Sequence, residues 1–206
     1  MNTRNTLYLL SLVLLASLSG CGENGSGIAP ALPTSTAIRA DLFVMERPDA
    51  VPDLLSVKST AKEGDEVVFL ARVGGRAKPF ADGFAMFVVA DPSLVSCELM
   101  GEEDHCPVPY DYCCEDSKAL TEGMATIQVV DEKGTPLRTS LQGAGGLEGS
   151  KFLIVDGVVT EKNDEGLFTV DARKIWVGGK PTRQNPAKGS TPAVPHDHDG
   201  DGISDH

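Results

Sequence analysis

The sequence predicts a mainly β fold, a small five-stranded barrel with one short N-terminal helix, placed between a disordered tether and a disordered tail. Two observations predict it. Five segments rich in β-branched and aromatic residues lie between residues 66 and 177, separated by turns that contain glycine, proline or aspartate. Both ends of the chain are instead rich in small and polar residues without apolar periodicity. A hydrophobic content of 41% is enough for a packed core, so global disorder is excluded.

The elements follow in chain order. Leu54, Val57 and Ala61 fall on one face of a helical repeat, which predicts a short helix over residues 53–62. The glycine at position 64 is placed to end that helix. Five strands are predicted after it, over residues 66–73, 84–90, 125–131, 151–159 and 167–177. Strands of this number and length are typical of a small barrel or a sandwich.

Three segments carry a resemblance: VVFLARVGG, MATIQVVDEKG and FLIVDGVVTEKNDEGLFTVDARKIWV. Together they are similar to a bacterial OB-fold domain, a Greek-key barrel, over about residues 64–177. A glycine-rich stretch and a long insertion after the second strand depart from that pattern. The resemblance implies ligand contacts in the loops after the first and fourth strands. The first loop holds Arg76, Lys78 and Phe80, which are either an anionic-ligand site or a solvated hairpin loop.

The N-terminus has the composition of an export signal. Residues 7–18 form an apolar run, which is shorter than the roughly 20 residues that a membrane-spanning helix needs. The run leads into Leu-Ser-Gly-Cys ending at Cys21, which resembles a bacterial lipoprotein signal. The resemblance implies a signal peptide over residues 1–20, a lipid on Cys21 and a lipidated tether over residues 21–37. The alternative is an ordinary signal peptide with an incidental cysteine.

A lipid anchor predicts a place in the cell envelope, on its periplasmic or surface face, with the membrane as one partner. Gly22 weakly favours the outer membrane, because it is not the aspartate that can retain lipoproteins in an inner membrane. The chain has 18 Lys and Arg against 30 Asp and Glu, a net charge of −12. This charge argues against nucleic acid as a partner, because phosphate binding needs basic residues.

A cysteine-rich insertion is predicted over residues 92–120 of the β domain, which itself spans residues 38–177. Four cysteines occur there within 18 residues: Cys97, Cys106, Cys113 and Cys114. An envelope location permits disulfides. Adjacent Cα atoms lie about 3.8 Å apart, closer than a disulfide normally spans, so a bridge within the last pair is disfavoured. Two pairings remain open, 97–113 with 106–114 or 97–114 with 106–113.

The same thiols have two other interpretations. Thiolates suit Zn²⁺ or Cu⁺, and His105 stands next to Cys106. The spacing argues against a standard zinc site, because eight and six residues separate successive cysteines where structural zinc prefers two to four. Redox-active thiols are the third interpretation. We expect structural disulfides that pin a recognition loop, with the metal site as the alternative.

A disordered acidic tail is predicted over residues 178–206. It ends in HDHDGDGISDH, in which alternate aspartates precede a glycine turn. This pattern resembles the first part of a calcium loop of the EF-hand or dockerin kind. Carried over, the resemblance implies five calcium ligands: Asp197, Asp199, Asp201, the carbonyl of Ile203 and Asp205. A solvated acidic tail and capture of a transition metal by its three histidines are the alternatives.

No catalytic set is predicted. The four histidines lie at position 105 or in the tail, so the barrel lacks a histidine base, and no phosphate-loop or zinc-protease motif occurs. The chain is therefore expected not to be an enzyme, with a thiol redox protein as the alternative. The leading hypothesis is a membrane-anchored binding or scaffolding module with an envelope protein as partner. The alternative is a metal-handling envelope protein that binds Zn or Cu through its cysteines, or Ca through its tail.

Overall fold

The computed structural model describes residues 37–100 and 106–180. Its strands are β1 (Phe43–Val44), β2 (Glu66–Val73), β3 (Met86–Ala90), β4 (Met124–Gln128), β5 (Phe152–Lys162) and β6 (Phe168–Val177). Its helices are α1 (Leu54–Thr60), which precedes β2, and α2 (Ser117–Gly123), which precedes β4. Single 3-10 turns lie at Cys97–Leu99 and Ala144–Gly146. In the described part of the chain, no helix is both long and apolar enough to cross a bilayer.

Strands β2 to β6 close into a barrel. Their order around it is β2, β3, β4, β6 and β5, and β5 pairs again with β2. The pairing of β4 with β6 is parallel, and the other four pairings are antiparallel. Counted along the barrel, the fifth strand therefore lies between the third and the fourth. This is the OB-like barrel that the sequence predicts.

The barrel interior is filled by alternate residues of each strand. In β4, Ala125 and Ile127 are buried while the residues between them are partly exposed, as the alternation predicts. The largest side chains in this core are those of Phe69, Phe87, Ile127, Leu153 and Phe168. Strand β5 can bend around the barrel because its pairing with β6 is irregular at Gly157, where a Cβ atom would lie 2.4 Å from the carbonyl oxygen of Asp171.

Helix α1 is fixed to the barrel by a buried ammonium group. Lys58 Nζ donates hydrogen bonds to the carbonyl oxygens of Thr121 at 2.7 Å, Met124 at 2.6 Å and Gly166 at 2.8 Å. Three acceptors satisfy all three protons of the ammonium. Burial, followed by the charge of the nearby Lys162, lowers the pKa of Lys58 from 10.5 to about 8. One side chain thus joins α1, the end of α2 and the β5–β6 loop.

The elements differ from their predicted bounds at their ends. The third strand stops at Gln128 rather than 131, because the carboxylate of Asp131 accepts hydrogen bonds from the amides of Lys133 and Thr135 and forms a turn. Strand β1 and helix α2 were not predicted. Helix α2 lies mostly within the predicted insertion and begins at Asp116, whose carboxylate accepts from two amides of its first turn.

Candidate functional site

The cysteine loop, residues 91–116 between β3 and α2, is closed at its base by backbone hydrogen bonds. The amide of Cys97 donates to the carbonyl of Asp111 at 2.9 Å, and the amide of Glu98 donates to the carbonyl of Pro109 at 3.0 Å. These two bonds lay the turn at Cys97–Leu99 beside residues 109–111. Cysteines that are far apart in sequence are thereby brought to one place.

Three sulfur atoms converge in this loop. The Sγ of Cys113 lies 3.5 Å from that of Cys97 and 3.7 Å from that of Cys106. All three sulfurs lie within 4.8 Å of one another. Zn–S bonds of about 2.3 Å at tetrahedral angles place neighbouring sulfurs about 3.8 Å apart. The three sulfurs are therefore spaced as the ligands of one metal ion are.

The fourth cysteine stands outside this cluster. The Sγ of Cys114 lies 3.9 Å from that of Cys113, but it is not among the sulfurs that lie mutually within 4.8 Å. Adjacent residues project their side chains in different directions, so both cannot face the same point without an unusual backbone. The predicted four-cysteine set is thus reduced to a cluster of Cys97, Cys106 and Cys113.

Neither predicted pair of disulfides is formed in the structure. No disulfide bond joins the cysteines of the described residues, and the sulfurs of Cys97 and Cys113 lie 3.5 Å apart, against about 2.05 Å for a bond. The loop is instead ordered by its backbone hydrogen bonds and by contacts with the barrel. The geometry shows a cluster of thiols in place of disulfides.

The three cysteines of the cluster differ in solvent exposure. Cys97 is buried, Cys106 is partly exposed and Cys113 is exposed. Burial, followed by side-chain hydrogen bonds with Cys106 and Cys113, raises the pKa of Cys97 to about 12. Its thiol therefore keeps its proton at neutral pH until a metal ion displaces it. The exposed Cys113 leaves one side of the cluster open to solvent.

A buried arginine attaches the loop to the barrel. Arg72 of β2 donates hydrogen bonds to the carbonyl of Leu94 and, at 3.2 Å, to the hydroxyl of Ser96. Its guanidinium lies 5.4 Å from the ring centroid of Tyr112 and 5.9 Å from that of Phe152. Burial raises the pKa of Tyr112 to about 12, and the charge of Arg72 opposes this rise. Both ends of the cysteine loop therefore pack on one cation.

Sequence reasoning missed Arg72, although a signal exists. The residue lies in the β-rich segment EVVFLARV, in which Phe69, Ala71 and Val73 face the core. An arginine alternating with core residues points away from the barrel interior, and its complete burial there requires a covering segment. Leu94, Ser96 and Tyr112 of the cysteine loop supply that cover.

A pair of glycines lets the loop approach closely. A Cβ atom on Gly74 would lie 2.7 Å from the carbonyl oxygen of Tyr110, and the amide of Gly75 donates to that same oxygen at 3.1 Å. A side chain at position 74 would push the loop away. The two glycines therefore follow the end of β2 and allow the cysteine loop to pack closely against the chain there.

The predicted ligand loop is divided between two clefts. Arg76 lines a cleft of about 560 Å³. Its other walls come from α2, the outer faces of β3 and β4, and the β5–β6 loop with Glu165. Lys78 and Phe80 line a second cleft of about 240 Å³ together with Tyr110. The ring of Phe80 also packs on that of Phe87, with centroids 5.8 Å apart. The three residues do not form one site.

Several predicted site residues lie outside the described residues. They are the lipidation site Cys21, the neighbouring ligand candidate His105, and the calcium candidates Asp197, Asp199, Asp201, Ile203 and Asp205. The signal peptide, most of the tether and most of the tail lie outside as well.

Comparison with known proteins returns no relative. No protein-family model matches the chain, and neither the curated proteins nor the solved structures contain a match.

Proposed function

We propose that this chain is a lipid-anchored envelope protein whose OB-like barrel carries a soft-metal site. Zn²⁺ or Cu⁺ is bound by the thiolates of Cys97, Cys106 and Cys113. The observation that carries the proposal is the convergence of three sulfurs at distances of 3.5 and 3.7 Å around Cys113. An all-sulfur donor set selects Zn²⁺ or Cu⁺ over Mg²⁺ or Ca²⁺.

The site is suited to metal exchange rather than to permanent structural binding. Structural zinc is held by four protein ligands, whereas catalytic and exchangeable sites keep one position open. Here three cysteines supply the donors, and Cys113 faces solvent. The open side gives a carrier or a solvent ligand access to the ion. Metal handling is therefore the function that the cluster supports best.

The test is metal uptake combined with thiol alkylation. The reduced full-length chain is titrated with Zn²⁺ against a chromogenic chelator, and each cysteine is then alkylated and mapped by mass spectrometry. We expect one Zn²⁺ per chain and strong protection of Cys106 and Cys113, while Cys114 stays reactive. Cys114→Ser is the matched control, because it removes a thiol of the loop but leaves the cluster intact. Equal loss of uptake in Cys113→Ser and Cys114→Ser would contradict the assignment.

A binding or scaffolding module is the second candidate function. The cleft beside Arg76 supports it, because the cleft brings the β2–β3 and β5–β6 loops together over a floor formed by residues of β3 and β4. The two loops are those that an OB-like barrel uses for ligands. A photo-crosslinker at Thr126 on that floor would capture an envelope partner, and one at the exposed Thr60 would not. Capture that survives Met124→Arg, which fills the cleft, would remove this candidate.

Calcium binding by the C-terminal tail is a separate part of the proposal. It rests on the alternate aspartates from Asp197 to Asp205. A chain truncated after residue 195 would lose any Ca²⁺ binding and would keep Zn²⁺ uptake. Loss of Zn²⁺ uptake on truncation would instead place the metal on the tail histidines.

A further inference from the structure

We propose that the cysteine loop is a redox-gated metal site, in which a Cys106–Cys113 disulfide and a bound metal ion exclude one another. The inference rests on the proposed metal site and names its regulation. It is based on the position of the Cys113 sulfur, which lies close to the sulfurs of the other three cysteines in the loop. The Sγ of Cys113 lies 3.5, 3.7 and 3.9 Å from those of Cys97, Cys106 and Cys114, respectively. Any disulfide formed by Cys113 removes it from the metal site.

Accessibility decides which thiol meets an oxidant first. Cys113 and Cys114 are exposed, whereas Cys97 is 1% exposed. A small disulfide from solvent therefore reaches these two thiols, and of the two only Cys113 belongs to the three-sulfur cluster. Thiol–disulfide exchange requires a thiolate as the attacking group. Cys97 is held in a buried turn by the bond from its amide to the carbonyl of Asp111, whereas Cys106 is partly exposed beside Cys113, so Cys106 is the thiol that can approach Cys113.

Geometry then selects Cys106 over Cys114 as the partner. A bridge between the adjacent residues Cys113 and Cys114 would have to span Cα atoms about 3.8 Å apart, below the usual minimum of about 4.4 Å. Cys106 is partly exposed, its sulfur lies 3.7 Å from that of Cys113, and six residues separate the two in sequence. Approach of the two sulfurs by about 2 Å brings them to bonding distance.

The exchange balances without any group from the protein beyond the two thiols. The Cys113 thiolate attacks a small symmetric disulfide, forms a mixed disulfide and expels one small thiolate. The Cys106 thiolate then attacks the Cys113 sulfur and expels the second small thiolate. Two protein thiols are oxidised, one small disulfide is reduced to two thiols, and the metal ion keeps its charge.

Metal release follows from the ligand count. The disulfide leaves Cys97 as the single thiol of the original cluster. One thiol does not hold Zn²⁺ against water, so the ion leaves. Cys97 stays in place because its amide is bonded to the carbonyl of Asp111 and its neighbour Ser96 accepts from Arg72. Reduction of the disulfide therefore restores the same site.

The experiment treats the reduced, Zn²⁺-loaded full-length chain with hydroxyethyl disulfide. Released Zn²⁺ is followed with a chromogenic chelator, small thiol is quantified, and the protein disulfide is located by peptide mass spectrometry. We expect one Zn²⁺ released for each Cys106–Cys113 bridge formed, and the two small thiols from that bridge are counted apart from those released by mixed disulfides at Cys21 and Cys114. Cys114→Ser should behave like the wild-type chain. Cys106→Ser should stop at a mixed disulfide on Cys113.

Each other outcome removes a defined part of the proposal. Zn²⁺ uptake followed by oxidation without release overturns the gate and leaves the metal site standing. A bridge between Cys97 and Cys113 overturns the choice of partner. Failure of the reduced chain to take up Zn²⁺ overturns the proposed function, and the gate falls with it.

Discussion

The guanidinium of Arg72 lies 5.4 Å from the ring centroid of Tyr112, and this contact joins a barrel strand to the cysteine loop. Both side chains are buried. Tyr112 lies between Asp111, whose carbonyl accepts from the amide of Cys97, and Cys113. The position of the sulfur cluster therefore depends on a residue of β2 that carries no sulfur itself.

Arg72→Met should destabilise the chain and weaken metal binding together. The change removes the donors to Leu94 and Ser96 and the cation–π contact, at a cost of about 2–3 kcal/mol in the free energy of unfolding. Urea denaturation measures this cost. Arg138→Met is the matched control, because Arg138 makes a similar contact with Phe84 but is exposed, and it should cost less than about 0.5 kcal/mol. Equal costs for the two variants would contradict the role of Arg72.

Lys58→Met should cost about 2–4 kcal/mol in the free energy of unfolding, because three carbonyl oxygens lose their donor. Lys118→Met is the control, since that side chain is exposed and pairs only with Glu122. The control should change stability by less than about 0.5 kcal/mol. Urea denaturation of both variants at neutral pH checks this prediction, and similar midpoints would contradict it.

The pH dependence of stability provides a separate check on Lys58. Its pKa is about 8 in the folded chain and 10.5 as the ordinary value, so between these pH values the unfolded chain binds more protons. Stability contributed by this residue therefore rises with pH from about 8 to 10.5. The difference in unfolding free energy between wild type and Lys58→Met should grow over that range. A constant difference would show that Lys58 keeps an ordinary pKa.

Gly74→Ala should loosen the cysteine loop, because the new Cβ would lie 2.7 Å from the carbonyl oxygen of Tyr110. We expect a loss of about 1–3 kcal/mol in unfolding free energy and faster alkylation of Cys97. Gly134→Ala is the control, since Gly134 also has a positive φ but has open space around its Cα. That control should lose stability without any change in the alkylation rate of Cys97.

Metal affinity should rise steeply with pH. The pKa of Cys97 is about 12, so a proton must leave its thiol whenever the metal binds at neutral pH. The apparent Zn²⁺ affinity should increase by about tenfold per pH unit for this proton alone. Competition titrations between pH 6 and 8 measure the slope. An affinity independent of pH over that range would contradict metal binding by Cys97.

The barrel was predictable because its signals are local. Residues 66–73 are rich in β-forming residues and are followed by two glycines, and they form β2 with the predicted bounds. The Ala125 and Ile127 alternation likewise identified β4. Strand β1 has two residues and pairs with β6, which is distant in sequence, so no local sequence pattern predicts it. Asp116 is a recognisable N-cap residue for α2, but it lies within the predicted cysteine-rich insertion, where no helix was expected.

The candidate site was predicted as a set of residues but not as a geometry. Sequence spacing argued against metal, because Cys97 and Cys106 are too far apart for a standard zinc motif. The structure removes that objection through backbone bonds between the turn at Cys97–Leu99 and residues 109–111. Such long-range pairings depend on Arg72 and Gly74 of the barrel, which the spacing of cysteines does not encode.

X-ray absorption of the reduced, Zn²⁺-loaded full-length chain identifies the atoms that bind the metal. We expect about three sulfur atoms at about 2.3 Å from zinc and one lighter atom. The sulfur count should stay the same in Cys114→Ser and fall by one in Cys113→Ser. A shell of oxygen and nitrogen without sulfur would overturn the proposed site, because it would place the metal away from Cys97, Cys106 and Cys113.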